Sequence, residues 1–321
     1  MESQTKNKQS NETLHQMIDR AFPGILPVSI KELTEGFFNV AYMVGLSDGR
    51  EMVLKIAPPN QSVIMTHEHN IMSSEVHSMR LVAEHTDVPV AQILFYDDSR
   101  QLCDAEYFFM EKLSGSSFHS LMGELSDEVR LGVDVQVGKI NRRINTIIGD
   151  RFGYFGQPDK QGDVWFDVFK SIAQDAINDA AAFNIDFTID IPHLLTLLER
   201  DKPHFEEVKT PRLVHWDLWA GNVFIEDGKV TGVIDFERCL WADELLEVGF
   251  RRFANNHSFV EGYGIADWTE SQRIRVLWYD VYLFLIMALE CDYRQYEDRG
   301  AYDWSTQMLR ECMEILVNRQ A

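Results

Sequence analysis

Apolar positions recur with two different periods along this chain of 321 residues, and the change comes near residue 115. Before it, Leu14, Met17, Ile18 and Phe22 fall on one stripe, which predicts a short amphipathic helix ended by Pro23-Gly24. Residues 1–12 are polar and read as a disordered lead. Residues 37–46 and 51–56 are rich in β-branched, aromatic and aliphatic side chains around the turn Ser47-Asp48-Gly49, which predicts a hairpin. A helix is expected over 67–85, then strands over 91–96 and 106–110.

After Gly115 the helical period dominates. Ser126 is a good N-cap for a helix over 126–148, and further helices are expected over 163–183 and 192–208. One β segment, 213–236, interrupts them, and only helices are expected after it. The strongest spans 270–290 behind a Thr269/Gln272 capping box. The pattern predicts an α+β chain: a small β-rich N-terminal lobe (1–110), a linker (111–116) and a large, mostly helical C-terminal lobe (117–321).

Composition narrows the function class more than the fold. With 45% apolar and 25% charged residues, the chain is neither fibrous nor disordered. The balance of 30 basic against 51 acidic residues gives −21, which argues against a nucleic-acid or anionic-membrane partner. A cationic small molecule fits better. The longest apolar run, Val281 to Leu289, is too short to span a bilayer, and residues 1–16 carry no signal-type apolar core. Four scattered cysteines without a CxxC pair read as reduced thiols, so a cytoplasmic protein is expected. No Walker A or GxGxxG sequence occurs, and His67-Glu68-His69 lacks the i, i+4 histidine spacing of a zinc helix.

Candidate chemistry concentrates in 213–237. Asp227-Gly228 between Val223–Ile225 and Val230–Ile234 is a strong hairpin signal. Counting back from a two-residue loop pairs Asn222 with Val233 and makes Asp235 a diagonal neighbour of Asn222 on the same face. An amide oxygen and a carboxylate so placed suit Mg²⁺, a hard cation that takes further ligands from phosphate. Asp217 lies on the loop entering the hairpin, free to face a substrate hydroxyl.

The spelling His215-Trp216-Asp217-Leu218-Trp219-Ala220-Gly221-Asn222, then Ile234-Asp235-Phe236-Glu237, resembles the aminoglycoside phosphotransferase family, whose relatives include fructosamine, homoserine and choline kinases. That resemblance implies a bilobal protein-kinase-like fold and transfer of the γ-phosphate of ATP, with Mg²⁺, to a hydroxyl of a small, amine-bearing acceptor. It implies Asp217 as the catalytic carboxylate, His215 as a prop of its loop, and Asn222 and Asp235 as metal ligands. Gly36 and Asn39 would belong to a nucleotide-covering loop that has only one glycine. Lys55 would face the phosphates, paired with Glu75 in preference to Glu68. Met110 would flank the adenine pocket, with Glu111 and Leu113 offering hinge backbone groups. Asp243 or Glu247 would brace the catalytic loop. Trp216 and Trp219 flank Asp217, and core packing is the expected role of Trp219. A nucleotide-binding regulator without catalysis is the reading of a different class.

Overall fold

The protein, a computed structural model, is described over residues 6–34 and 38–319. In chain order the N-terminal region comprises α1 (Asn11–Ala21), β1 (Pro27–Leu33), β2 (Val40–Leu46), β3 (Glu51–Ile56), α2 (Ile71–His85), β4 (Ile93–Asp97) and β5 (Tyr107–Glu111). Then follow β6 (Ser116–Ser117), α3 (Phe118–Leu121), α4 (Asp127–Ile144), β7 (Gly153–Tyr154), α5 (Trp165–Phe183) and α6 (Ile191–Arg200). The chain continues with β8 (Arg212–Val214), β9 (Val223–Glu226), β10 (Lys229–Val233), β11 (Leu240–Ala242), α7 (His257–Tyr263), α8 (Glu270–Tyr293) and α9 (Gly300–Asn318).

The first five strands form an antiparallel sheet in the order β1-β2-β3-β5-β4. Strand alternation sends Met52, Leu54, Ile56, Tyr107 and Phe109 to a core closed by Leu14, Met17 and Ile18 of α1. Val53, Phe108 and Met110 go to the opposite face, where they join α2 and the helical region in one continuous core. Lys55 shares that inner face and is buried, because the face abuts the other lobe rather than solvent. The expected disorder of residues 1–12 fails from Asn7 onward among the described residues. Asn7 donates to the Ala57 carbonyl, and Ser10 caps α1 by accepting from Thr13 N–H.

The C-terminal region packs α5, α6 and α9 around α8, which is buried on all sides and capped by the expected Thr269/Gln272 box, while α4 packs on α7. Two predicted helices end early: α4 stops where Asn145 turns to donate to the Leu213 carbonyl, and α6 stops at Asp201. The expectation of helices alone after residue 236 is corrected by β11, which joins β7 and β8 in a small sheet. Three residues are too few to show a period. The hairpin register also needs correction. Lys229 pairs Glu226 as expected, but a bulge at Thr231 shifts the remainder, so Val233 pairs Val223 and the Ile234 N–H reaches the Asn222 carbonyl. The bulge is held by the linker: Thr231 Oγ1 donates to the Ser114 carbonyl, and Leu113 lies so close to Gly232 that a Cβ there would clash.

Candidate active site

Two polar clusters meet between the lobes. In the first, Lys55 Nζ lies 2.7 Å from Glu75, 2.5 Å from Asp235 and 3.3 Å from Glu237. Asn39 Nδ2 donates to the same Glu237 carboxylate at 2.6 Å. Strand β3 supplies Lys55, the residue before β2 is Asn39, α2 supplies Glu75, and the turn after β10 supplies the other two. Asp235 sits in the left-handed region (φ +62°), which re-aims the chain at the strand end. Glu68 does not compete for Lys55; it pairs with Arg294 at the end of α8.

The second cluster is the loop between β8 and β9. His215 is buried against the Phe236 ring, with centroids 4.3 Å apart. Its Nε2 lies 2.9 Å from the Ile234 carbonyl, and Nδ1 faces the Asp217 N–H, so the neutral Nε2–H tautomer satisfies both. Burial lowers its pKa, consistent with a neutral prop. Asn222 Nδ2 donates to the Asp217 carbonyl at 2.9 Å and to its carboxylate at 3.2 Å. That fixes the amide with Oδ1, the atom a cation would take, directed elsewhere.

Glu247 braces this loop, and Asp243 does not. The Glu247 carboxylate accepts the N–H groups of Trp216 (2.8 Å) and Leu218 (2.9 Å), on either side of Asp217. It thereby holds Trp216 at a φ of +63°, unfavourable for a bulky residue. Asp243 instead binds Arg275 at 2.6 Å and Tyr279 at 2.7 Å.

The electrostatics follow from three carboxylates converging on one ammonium. Burial favours neutral Lys55, but Asp235, Glu75 and Glu237 outweigh it and raise its pKa well above the ordinary value. Burial likewise opposes a charged Asp235, and Lys55 overcomes it, holding the carboxyl below its ordinary range. Asp217 has no such partner. Burial pushes its pKa up to about 8, the Arg238 guanidinium opposes the rise, and Asp235 and Glu237 reinforce it.

The remaining expected positions divide. Gly36 lies outside the described residues. Met110 is buried on β5 beside the linker. The Glu111 N–H donates to the Gln92 carbonyl at 3.0 Å, so of its two backbone groups the carbonyl is the one that can serve the hinge. Leu113 packs over Gly232. Trp219 is not a core residue: it is 42% exposed, with its ring 5.3 Å from His119 and its edge against Gly221, where a Cβ would clash. Its neighbours Leu218 and Ala220 are apolar, so the local pattern reads as core and gives no sign of this exposure. The sequence pattern by itself assigns no role to Glu237 or Arg238. Glu237 follows Asp235 by two residues, and that spacing was the available signal.

The donor set fits a hard divalent cation. Among the described residues, Glu75, Asp235 and Glu237 bring carboxylate oxygens within 4.8 Å of one another, with a single lysine to offset them.

Residues 29–268 match the model of the phosphotransferase enzyme family. A subtelomeric hrmA-associated cluster protein of Aspergillus fumigatus is 28% identical over 116 residues, 36% of this chain; the match spans only 22% of that relative's length. Among solved structures, a thermostable mutant of aminoglycoside phosphotransferase APH(4)-Ia, in complex with ADP and hygromycin B, superposes with a TM-score of 0.67 at 18% identity, covering 96% of this chain and 99% of that one. A protein of Thermobifida fusca assigned as a fructosamine-3-kinase gives 0.67 at 14% identity, covering 95% and 100%. At these identities the likeness shows the fold, which is protein-kinase-like.

Proposed function

Because the chain belongs to the phosphotransferase enzyme family, we propose that it transfers the γ-phosphate of ATP to a hydroxyl of a small, amine-bearing acceptor. The observation that carries this reading is the convergence of Lys55, Glu75 and Asp235 beside the Glu247-braced loop holding Asp217 and Asn222.

In this reading Lys55 offsets phosphate charge, and Glu75 keeps its ammonium on the cleft side of the sheet. Asn222 and Asp235 would hold Mg²⁺, with Glu237 a further candidate ligand; the ion, when bound, neutralises charge on the phosphates. Asp217 receives or orients the proton of the acceptor hydroxyl at its carboxylate. Asn222 Nδ2 donates to that carboxylate, and Glu247, by accepting the N–H groups of residues 216 and 218, fixes the backbone that carries it. Positioning and charge stabilisation supply most of the acceleration in a loose phosphoryl transition state.

An amine-bearing acceptor is supported by the surplus of carboxylate around the site and by the exposed Trp219 face two residues from Asp217, which suits an ammonium or the apolar face of a sugar. The hygromycin B complex of the structural neighbour is of the same chemical class. The test is a screen of hydroxylated amines, including aminoglycosides, fructosamines, homoserine and choline, with purified protein and Mg·ATP, scored by a product mass increased by one phosphoryl group. ATP binding without turnover of any acceptor, or of ATP itself, would instead support a regulator.

A further inference from the structure

We infer that Arg294, on the C-terminal lobe, is a positioning residue for the nucleotide: it fastens the entry of β2 by clamping Phe38. The inference rests on the ATP-site reading above. Its occasion is a shortage, since the stretch leading into β2 has one glycine at most with which to hold phosphates by backbone amides.

Arg294 follows α8 directly, and its guanidinium pairs with Glu68 across 226 residues of sequence. Both side chains are almost wholly buried. The same guanidinium lies 4.2 Å from the centroid of the Phe38 ring, the geometry of a desolvated cation–π contact. Phe38 is itself buried and immediately precedes Asn39, which donates to Glu237. The β2 entry is therefore pinned twice from the far lobe, once by Arg294 and once beside Asp235. Glu68 is itself fixed, accepting the Met65 N–H at 2.8 Å, and the next residue, Thr66, donates from N–H and Oγ1 to Asp179 of α5. The clamp thus has a rigid base.

One turn of α8 also links this clamp to the acceptor side. Glu290, whose carbonyl accepts the Arg294 N–H, pairs through its carboxylate with Arg238 at 2.7 Å, and Arg238 is the cation that opposes the pKa rise of Asp217. No sequence motif signals this arrangement, because Phe38 and Arg294 lie at opposite ends of the chain.

The experiment is a double-mutant cycle read by calorimetric titration of Mg·AMP-PNP, which needs no acceptor. Phe38→Leu and Arg294→Met should each weaken Mg·AMP-PNP about tenfold, and the double variant no more than the weaker single, because both remove one contact. Arg294→Lys, which keeps a cation over the ring, should recover part of the loss. Arg294→Met strands the buried Glu68 carboxylate, so Glu68→Leu/Arg294→Met serves as a second background if the single variant melts early. Losses that multiply in the double variant would overturn the clamp. So would a Phe38→Leu protein with lowered melting temperature and unchanged affinity. Wild-type protein that fails to bind Mg·AMP-PNP would sink the kinase reading itself, a distinguishable failure.

Discussion

Asp217→Asn should make the protein more stable and almost inactive, and the stability gain should depend on pH. The Asp217 carboxyl is pushed up from 3.8 to about 8, first by burial and then by Asp235 and Glu237, against the pull of Arg238. Its folded value thus lies above its unfolded one. Below about pH 4 the group is protonated in both states and costs nothing. Between pH 4 and 8 the unfolded chain releases the proton that the folded chain retains, so the folded state loses ground. Above pH 8 the penalty is complete. At 1.36 kcal/mol per pH unit the ceiling is roughly 6 kcal/mol. Asp217 is only partly buried, and solvent screening brings the expected gain to about 1–2 kcal/mol, or roughly 2–4 °C in melting temperature for a chain of this size. The assay is a set of thermal melts of wild type and variant at pH 4, 6, 7 and 8.5, without nucleotide or divalent cation, with phosphoryl transfer measured in parallel. The difference should be near zero at pH 4 and largest at 8.5, while kcat falls on the order of 10²–10⁴-fold. A pH-independent difference, or a variant less stable than wild type at pH 8.5, would refute the electrostatic account. Undiminished transfer would refute the assignment of Asp217.

Glu247→Ala orphans the Trp216 and Leu218 N–H groups and releases a strained Trp216. It should cost about 2–5 kcal/mol in denaturant unfolding and depress kcat more than it raises KM for ATP. Lys55→Met leaves Glu75, Asp235 and Glu237 facing one another, which should destabilise the divalent-free protein by about 3–5 kcal/mol. Melts with increasing Mg²⁺ should recover part of that loss, and no recovery would argue against a cation site among these groups. Trp219→Ala, at an exposed ring, should leave the melting temperature within about 1 °C while raising the acceptor KM about tenfold or more, with KM for ATP unchanged. An unchanged acceptor KM would return Trp219 to a surface role.

The parts legible in the sequence are those whose signal is local. The period of α8, the caps at Ser126 and Thr269, and the Asp227-Gly228 loop each depend on neighbours within a few residues, and each stands where expected. The His215 to Asn222 spacing is legible because one short loop must place the Asp217 and Asn222 side chains together. What escaped is decided by distant chain segments. The linker residues Leu113 and Ser114 hold the bulge at Thr231, so counting along the hairpin alone puts Asn222 one position out of register. Alternation along β3 reports only that Lys55 faces away from Leu54 and Ile56. Whether that face meets water or three carboxylates depends on packing between the lobes. The choice between Asp243 and Glu247 is equally non-local, settled by Arg275 and Tyr279 on α8, which claim Asp243 and leave Glu247 to the loop. Charge, unlike hydrophobicity, has no period to read: an acidic residue declares its role only when the cation or N–H group it faces is known, and here those partners lie up to 226 residues away.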